Sequence, residues 1–186
     1  MASRSELQYI CGMQFILNAL RGGNPDAYYF ENQKYIDVFL KQLRYRFKPK
    51  RQKIYRGILM HPDSVKGRKL TPLKHISYLS FSDDLSIAKV FADMNSDMAI
   101  PFRYVNPDHG GYLIEHEAEP EEIIFHHSWT DALEIKKFFK YNVHVVYAQR
   151  EVMIKNSMKV FDLIPVERGC SNGQTLGVSY DSVFQF

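Results

Sequence analysis

The chain has 186 residues, a length that suits one domain of ordinary size. With 45% hydrophobic and 24% charged residues it can bury a sizeable core, which argues against wholesale disorder. A net charge of +3 is too weak by itself to argue for nucleic acid, and two cysteines without metal-ligand spacing, Cys11 and Cys170, speak against a disulfide framework and for a reducing compartment.

The N-terminus "MASRSELQYICGMQFILNAL" is apolar but interrupted by polar residues, so neither a signal peptide nor a membrane span is expected. A cytoplasmic location, in the cell that makes the chain, follows as the expectation. Leu7, Ile10, Cys11, Ile16, Leu17 and Leu20 recur at helical spacing, and "RGGNP" ends that helix. Tyr35, Ile36, Phe39, Leu40 and Leu43 mark a second helix that should stop before Pro49. The run "RYRFKPKRQK", residues 44–53, holds six Lys and Arg and no acid. It reads as a solvated loop or as a surface that attracts phosphates.

The texture then changes. "KIYRGILM" is a short strand, and the loop "VKGRKLTPLK" leads to a second, "HISYLSFS". Asp83 and Asp84 stand where they could cap the helix "LSIAKVFADM". "NSDMAIPFRYVNPDHGG" reads as a long loop, and "GYLIEHEAEP" alternates like a strand with one wet face. "SWTDALEIKKFFKY" reads as a helix. "VHVVYAQREVMI", "KVFDLIPV" and "GVSYDSVFQF" complete about five or six strands. Seven histidines are scattered, and the adjacent His126 and His127 lack zinc-site spacing, so no metal is expected. The whole is α+β: one domain over 1–186, with a helical layer at 1–48 and a sheet-rich part at 53–186, the sheet mixed or mostly antiparallel.

Three strands carry polar groups where apolar ones would cost less. Arg56 sits in "IYRGI", Ser80 and Ser82 in "YLSFS", and Gln149 and Glu151 in "AQREV". A buried arginine needs an anion and a buried carboxylate needs donors. Members of each pair are two apart, so on a strand they share a face, while Phe81 and Arg150 point the other way. Each residue also has an ordinary reading: Arg56 paired with a neighbouring acid, serines satisfied locally, Glu151 on an edge strand.

The order Arg, Ser-x-Ser, Gln-x-Glu resembles the R-S-E class of mono-ADP-ribosyltransferases, the toxin-like and T-even phage-like enzymes. "YRG" resembles their first-strand motif. "LSFSDDLSIAKVFA" resembles the Ser-Thr-Ser strand running into its helix, with Phe81 in place of Thr. "QREVMI" resembles the Gln/Glu-x-Glu strand. The likeness covers about Ile54 to Pro165. It implies the fold of that family, N-terminal helices on a β-sandwich with an NAD cleft, in a phage or bacterial effector.

The resemblance implies NAD as substrate, cleaved at the nicotinamide–ribose bond, with no metal. Glu151 would be the catalytic carboxylate, with Gln149 beside it and Ser80 holding it in position. Arg56 would bind phosphate, and Gly57 would let the backbone approach the nicotinamide. Ser82 would support the same face, and Phe91 would stack on the nicotinamide ring, although it reads equally as a core residue. Arg103, the one Arg of the long loop, would touch phosphate. Tyr147 and Gln149 would meet the acceptor. Gln149 points away from arginine as acceptor, because an amide cannot act as a base at neutral pH. Val146 stands where C3-like enzymes carry an aromatic, which points away from their target. A protein acceptor is expected, with a nucleic-acid acceptor as the alternative. Three other readings stay open: an NAD glycohydrolase, a catalytically inactive NAD- or partner-binding module of the same fold, and a small basic nucleic-acid-binding protein.

Overall fold

A computed structural model describes residues 2–21, 25–93, 108–138 and 149–166. Helix α1 spans Arg4–Leu20. It starts from a reciprocal cap in which Glu6 N–H donates to Ser3 Oγ at 3.3 Å and Ser3 N–H to Glu6 Oε2 at 2.6 Å. Helix α2 spans Asp26–Phe47 and stops at Lys48, whose backbone turns left-handed (φ 45°) one residue before Pro49. Ile36, Phe39, Leu40 and Leu43 are buried, as the spacing predicts, and the two helices pack on each other.

Strands β1 (Gln52–Met60), β3 (Tyr78–Ser82), β4 (Gly110–Ala118), β5 (Ile123–His126), β6 (Glu151–Lys155) and β8 (Ile164–Pro165) form one sheet in the order β5-β6-β3-β1-β4-β8. Every pairing is antiparallel. A second, two-stranded sheet joins β2 (Lys69–Leu70) to β7 (Phe161–Asp162), and it is the only other sheet among the described residues. The architecture is therefore α+β around an antiparallel sheet.

Alternation along the strands divides the apolar residues between two faces. Ile54, Ile114 and Phe81 join Phe15, Ile16, Ile36 and Leu40 in one large core. Tyr55 and Leu113 instead meet Ala88 and Ala92 of helix α3 (Leu85–Ala92). That helix lies close because β1 and β4 offer it glycines. A Cβ on Gly57 would stand 1.9 Å from Ala88 O, and one on Gly111 would stand 1.7 Å from Ala92 O.

Several elements differ from expectation. The segment from Ser128 is not an α-helix: two 3-10 turns, His127–Trp129 and Ile135–Lys137, are separated by Glu134 in left-handed backbone (φ 53°). Thr130 Oγ1 donates to His127 O and draws the chain into the tighter turn. "KVFDLIPV" breaks into β7 and β8, which serve different sheets. The loop after Met60 holds a 3-10 turn, Pro62–Arg68, and the short β2. Strand β5 was not expected: Ile123, Ile124 and Phe125 are all buried, so no polar alternation marks it. "GVSYDSVFQF" lies outside the described residues. No helix among the described residues is long and apolar enough to cross a membrane.

Candidate active site

The central strands part to make room for a cleft. The register of β1 on β3 has one paired position, Tyr55 opposite Ser82. Beyond it the backbones diverge, and the Ser80 carbonyl is met by a side chain: Arg56 Nη1 donates to Ser80 O at 3.2 Å. The guanidinium thus replaces a missing strand-to-strand bond and stands at the cleft. The cleft encloses about 200 Å³ and is lined by Arg56, Gly57, Ser80, Ser82, Phe91, Gln149 and Glu151, with Tyr55, Phe81 and Ala88.

Glu151 opens β6, opposite Ser82 of β3. Ser80 Oγ donates to Glu151 Oε1 at 2.5 Å, the short distance of a charged acceptor. Burial pushes the Glu151 carboxyl above the usual carboxylate range, while the Ser80 hydroxyl and the Arg56 guanidinium pull it back. Burial likewise lowers the Arg56 pKa, opposed by the nearby Tyr78 and Glu151. A guanidinium stays charged regardless. The cleft therefore holds one fixed cation and one carboxylate within reach of each other's field. Tyr78 is pushed up to about 12, first by burial and then by Glu151 and Asp26, so its phenol is neutral.

Gln149 and Glu151 do share the cleft, but not as alternate residues of one strand. The strand begins at Glu151, and Arg150 before it adopts left-handed backbone, φ 48°. Two anchors hold this bend: Ser82 Oγ donates to Gln149 O at 2.8 Å, and Asp83 N–H to Arg150 O at 3.3 Å. Ser82 lines the cleft, yet its hydroxyl is engaged by backbone, donating to Gln149 and accepting from Asp84 N–H at 3.1 Å. It is a brace for the bend rather than a free ligand donor. Gly57 lines the cleft, and the backbone of α3 is a further reason for glycine there.

Asp84 caps α3, accepting from Ser86 N–H at 2.8 Å. Asp83 does not cap. It accepts from Arg150 Nε at 2.6 Å and from Arg150 Nη2 at 3.2 Å, and meets His127 Nε2 at 3.0 Å and His126 Nε2 at 3.6 Å. Burial raises the Asp83 pKa, but Arg150 and His127 outweigh it and hold the carboxyl below its ordinary value. His126 is pushed down to about 4, by burial and then by His127, with Asp83 opposing. Its ring is neutral near pH 7. The residue spacing hid this cluster because its members come from three strand ends: β3, β5 and the bend before β6.

Phe91 lines the cleft beside Gly57. Arg103, Tyr147 and Val146 lie outside the described residues. The basic run is partly neutralised by the wet face of β4. Arg51 Nη2 meets Glu117 at 2.9 Å and its Nε meets Glu119 at 3.2 Å, while Lys53 meets Glu115 at 3.7 Å. Those acids reduce the field available for a polyanion.

No protein-family model matches the chain, and neither a curated protein nor a solved structure matches it.

Proposed function

We propose that the protein is a mono-ADP-ribosyltransferase of the R-S-E type, with the fold of that family, and that it transfers ADP-ribose from NAD to a macromolecular acceptor other than arginine. The observation that carries this reading is the Ser80–Glu151 hydrogen bond of 2.5 Å beside Arg56 in one cleft. Three motifs remote in sequence supply the three groups that the chemistry needs.

In this reading the nicotinamide–ribose end of NAD enters the cleft. The bond from ribose C1′ to the ring nitrogen breaks, its electron pair goes to nicotinamide, and positive charge develops on the ribose. Glu151, held by Ser80, faces that charge as it appears and stabilises it. Arg56 attracts the diphosphate. Phe91 offers its ring to nicotinamide. The acceptor's nucleophile then bonds to C1′ and gives up its proton to solvent water or to the Glu151 carboxylate. Gln149 can orient the acceptor through its amide but cannot take that proton. A protein acceptor in the cytoplasm of the producing or infected cell fits this chemistry.

The test is incubation of the purified protein with NAD labelled in the adenylate part and a cell lysate, with free nicotinamide measured alongside. Nicotinamide release that Glu151→Ala abolishes, with label on macromolecules, is the expected result. Label found only as free ADP-ribose would make the protein a glycohydrolase. Intact NAD would overturn both.

A further inference from the structure

We propose that Asp83, His126 and His127 form a binding site for a divalent transition metal of the zinc type, placed to staple the end of β5 to the end of β3 across the start of β6. This inference stands apart from the NAD reading and needs no catalysis.

Ligand-capable atoms of the three side chains all lie within 4.8 Å of one another. Asp83 Oδ2 is 3.6 Å from His126 Nε2 and 3.0 Å from His127 Nε2. A tetrahedral zinc site with bonds of about 2.0–2.1 Å has ligand-to-ligand edges of about 3.3 Å, so these two edges bracket the required value. Two imidazoles and a carboxylate suit zinc, with water as the fourth ligand, better than they suit magnesium or calcium, which favour all-oxygen sets.

The surroundings orient the donors. The His126 and His127 rings lie 4.4 Å apart, tilted by 30°, so both Nε2 atoms address the same carboxylate. His126 Nδ1 is 2.8 Å from Ser128 Oγ and 3.1 Å from Ser128 N. Ser128 N–H donates to Nδ1, so without metal the ring proton sits on Nε2, facing Asp83. A metal at Nε2 displaces it, and the proton moves to Nδ1 towards Ser128 Oγ as the backbone contact yields. Arg150 donates to both Asp83 oxygens, from Nε to Oδ1 at 2.6 Å and from Nη2 to Oδ2 at 3.2 Å, so the metal would share Oδ2 with the longer of the two bonds. With Asp84 3.8 Å from Arg150, the two aspartates and one arginine leave a net charge of minus one to receive the cation. The three ligating side chains are 13 to 18% exposed, so they are mostly buried but reached by solvent.

The chain has one tryptophan, and Trp129 lies 6.4 Å, centroid to centroid, from His126. It is a built-in reporter. Co2+ added to the apo protein should quench Trp129 fluorescence with one-to-one saturation, and Zn2+ should reverse the quenching by competition. Zn2+ should also raise the melting temperature, because it binds only the folded state. His127→Gln and Asp83→Asn should each weaken binding at least tenfold, and Ser128→Ala, which keeps every ligand, about tenfold. Imidazole NMR signals of the unmodified protein give a readout free of folding effects: His126 and His127 should shift on Zn2+ addition, and His61 and His109 should not. Failure of Co2+ to quench at millimolar concentration would overturn the proposal. So would Zn2+-induced shifts confined to other histidines.

Discussion

Ser80 Oγ stands 2.5 Å from Glu151 Oε1, joining β3 to the first residue of β6 at the cleft. The hydroxyl does two things at once: it fixes the carboxylate's direction and it lowers a pKa that burial raises. Removing the hydroxyl separates these roles from that of the carboxylate itself. For NAD cleavage, Glu151→Ala should lower kcat by at least ~10²-fold, the scale of losing a preorganised electrostatic group. Ser80→Ala should cost about tenfold, equivalent to ~1.4 kcal/mol of barrier. It should also move the acid limb of the pH–rate profile to higher pH, since a pull that lowers the Glu151 pKa is gone. An unchanged acid limb in Ser80→Ala would separate Glu151 from the titration.

Glu151 should also trade stability for function. Its folded pKa is raised above the ordinary carboxylate value. A raised pKa means that the folded state favours the protonated form. The stabilising contribution is therefore present below the unfolded pKa and lost as pH rises through the folded one. At neutral pH the buried carboxylate is a liability to the fold. Glu151→Gln should therefore be at least as stable as the unmodified protein at pH 7, with the difference vanishing on acidification. Urea unfolding at several pH values measures this, while nicotinamide release from the same variant should be lost. A variant less stable at pH 7 than at pH 4, relative to the unmodified protein, would reverse the sign and refute the account.

Much of this arrangement was legible from residue patterns, and the exceptions have physical causes. Periodicity reads α2 well, with Ile36, Phe39, Leu40 and Leu43 buried, but α1 only in part: Cys11, Ile16 and Leu17 are buried as expected, Ile10 is exposed, and Met13 and Phe15 are buried outside the expected face. Strands β1, β3 and β4 announced themselves because polar residues interrupt or alternate with apolar ones. Strand β5 has three buried apolar residues in a row, and a run of that kind carries no period. Trp129 and Leu133 mimic helical spacing, yet Glu134 turns left-handed and ends the turn. Arg56, Ser80 and Glu151 were found by their polarity in apolar surroundings. The Asp83–Arg150 pair was not, because it depends on the bend before β6, and left-handed backbone at an arginine leaves no mark in composition. Gly57 lines the cleft as its motif suggests, and a second demand on it was not legible: helix α3 excludes a side chain there.

That exclusion can be measured. Gly57→Ala would place a Cβ 1.9 Å from Ala88 O and 2.6 Å from Ala92 N, both backbone atoms that cannot swing aside. Helix α3 must lift from β1, at a cost of about 1–3 kcal/mol as in other overpacked cores. Phe91 sits on the same helix and lines the cleft, so displacement should also weaken NAD binding. Denaturant unfolding should show the loss of stability, and calorimetry with NAD the loss of affinity. Gly67→Ala is the control, since nothing lies within 4 Å of a Cβ there and its strain comes from φ alone, +76°. Equal stability of Gly57→Ala and the unmodified protein would mean that α3 does not rest on β1 as described.

If the protein transfers ADP-ribose as proposed, Gln149 should bear on the choice of acceptor. It lines the cleft two residues before Glu151, and the Ser82 hydrogen bond to its carbonyl anchors its backbone there. A neutral amide cannot accept a proton from a guanidinium, whereas a carboxylate can pair with it and assist its deprotonation. Gln149→Glu should therefore gain transfer to a small guanidine acceptor, read as ADP-ribosylated product by mass spectrometry, while losing transfer to the natural acceptor. The new carboxylate would also stand near Glu151 and raise its pKa further by like-charge repulsion. The gain should accordingly appear at alkaline pH and fade as pH falls towards neutrality. Strong transfer to guanidine by the unmodified protein, with no increase in Gln149→Glu, would show that position 149 does not select the acceptor.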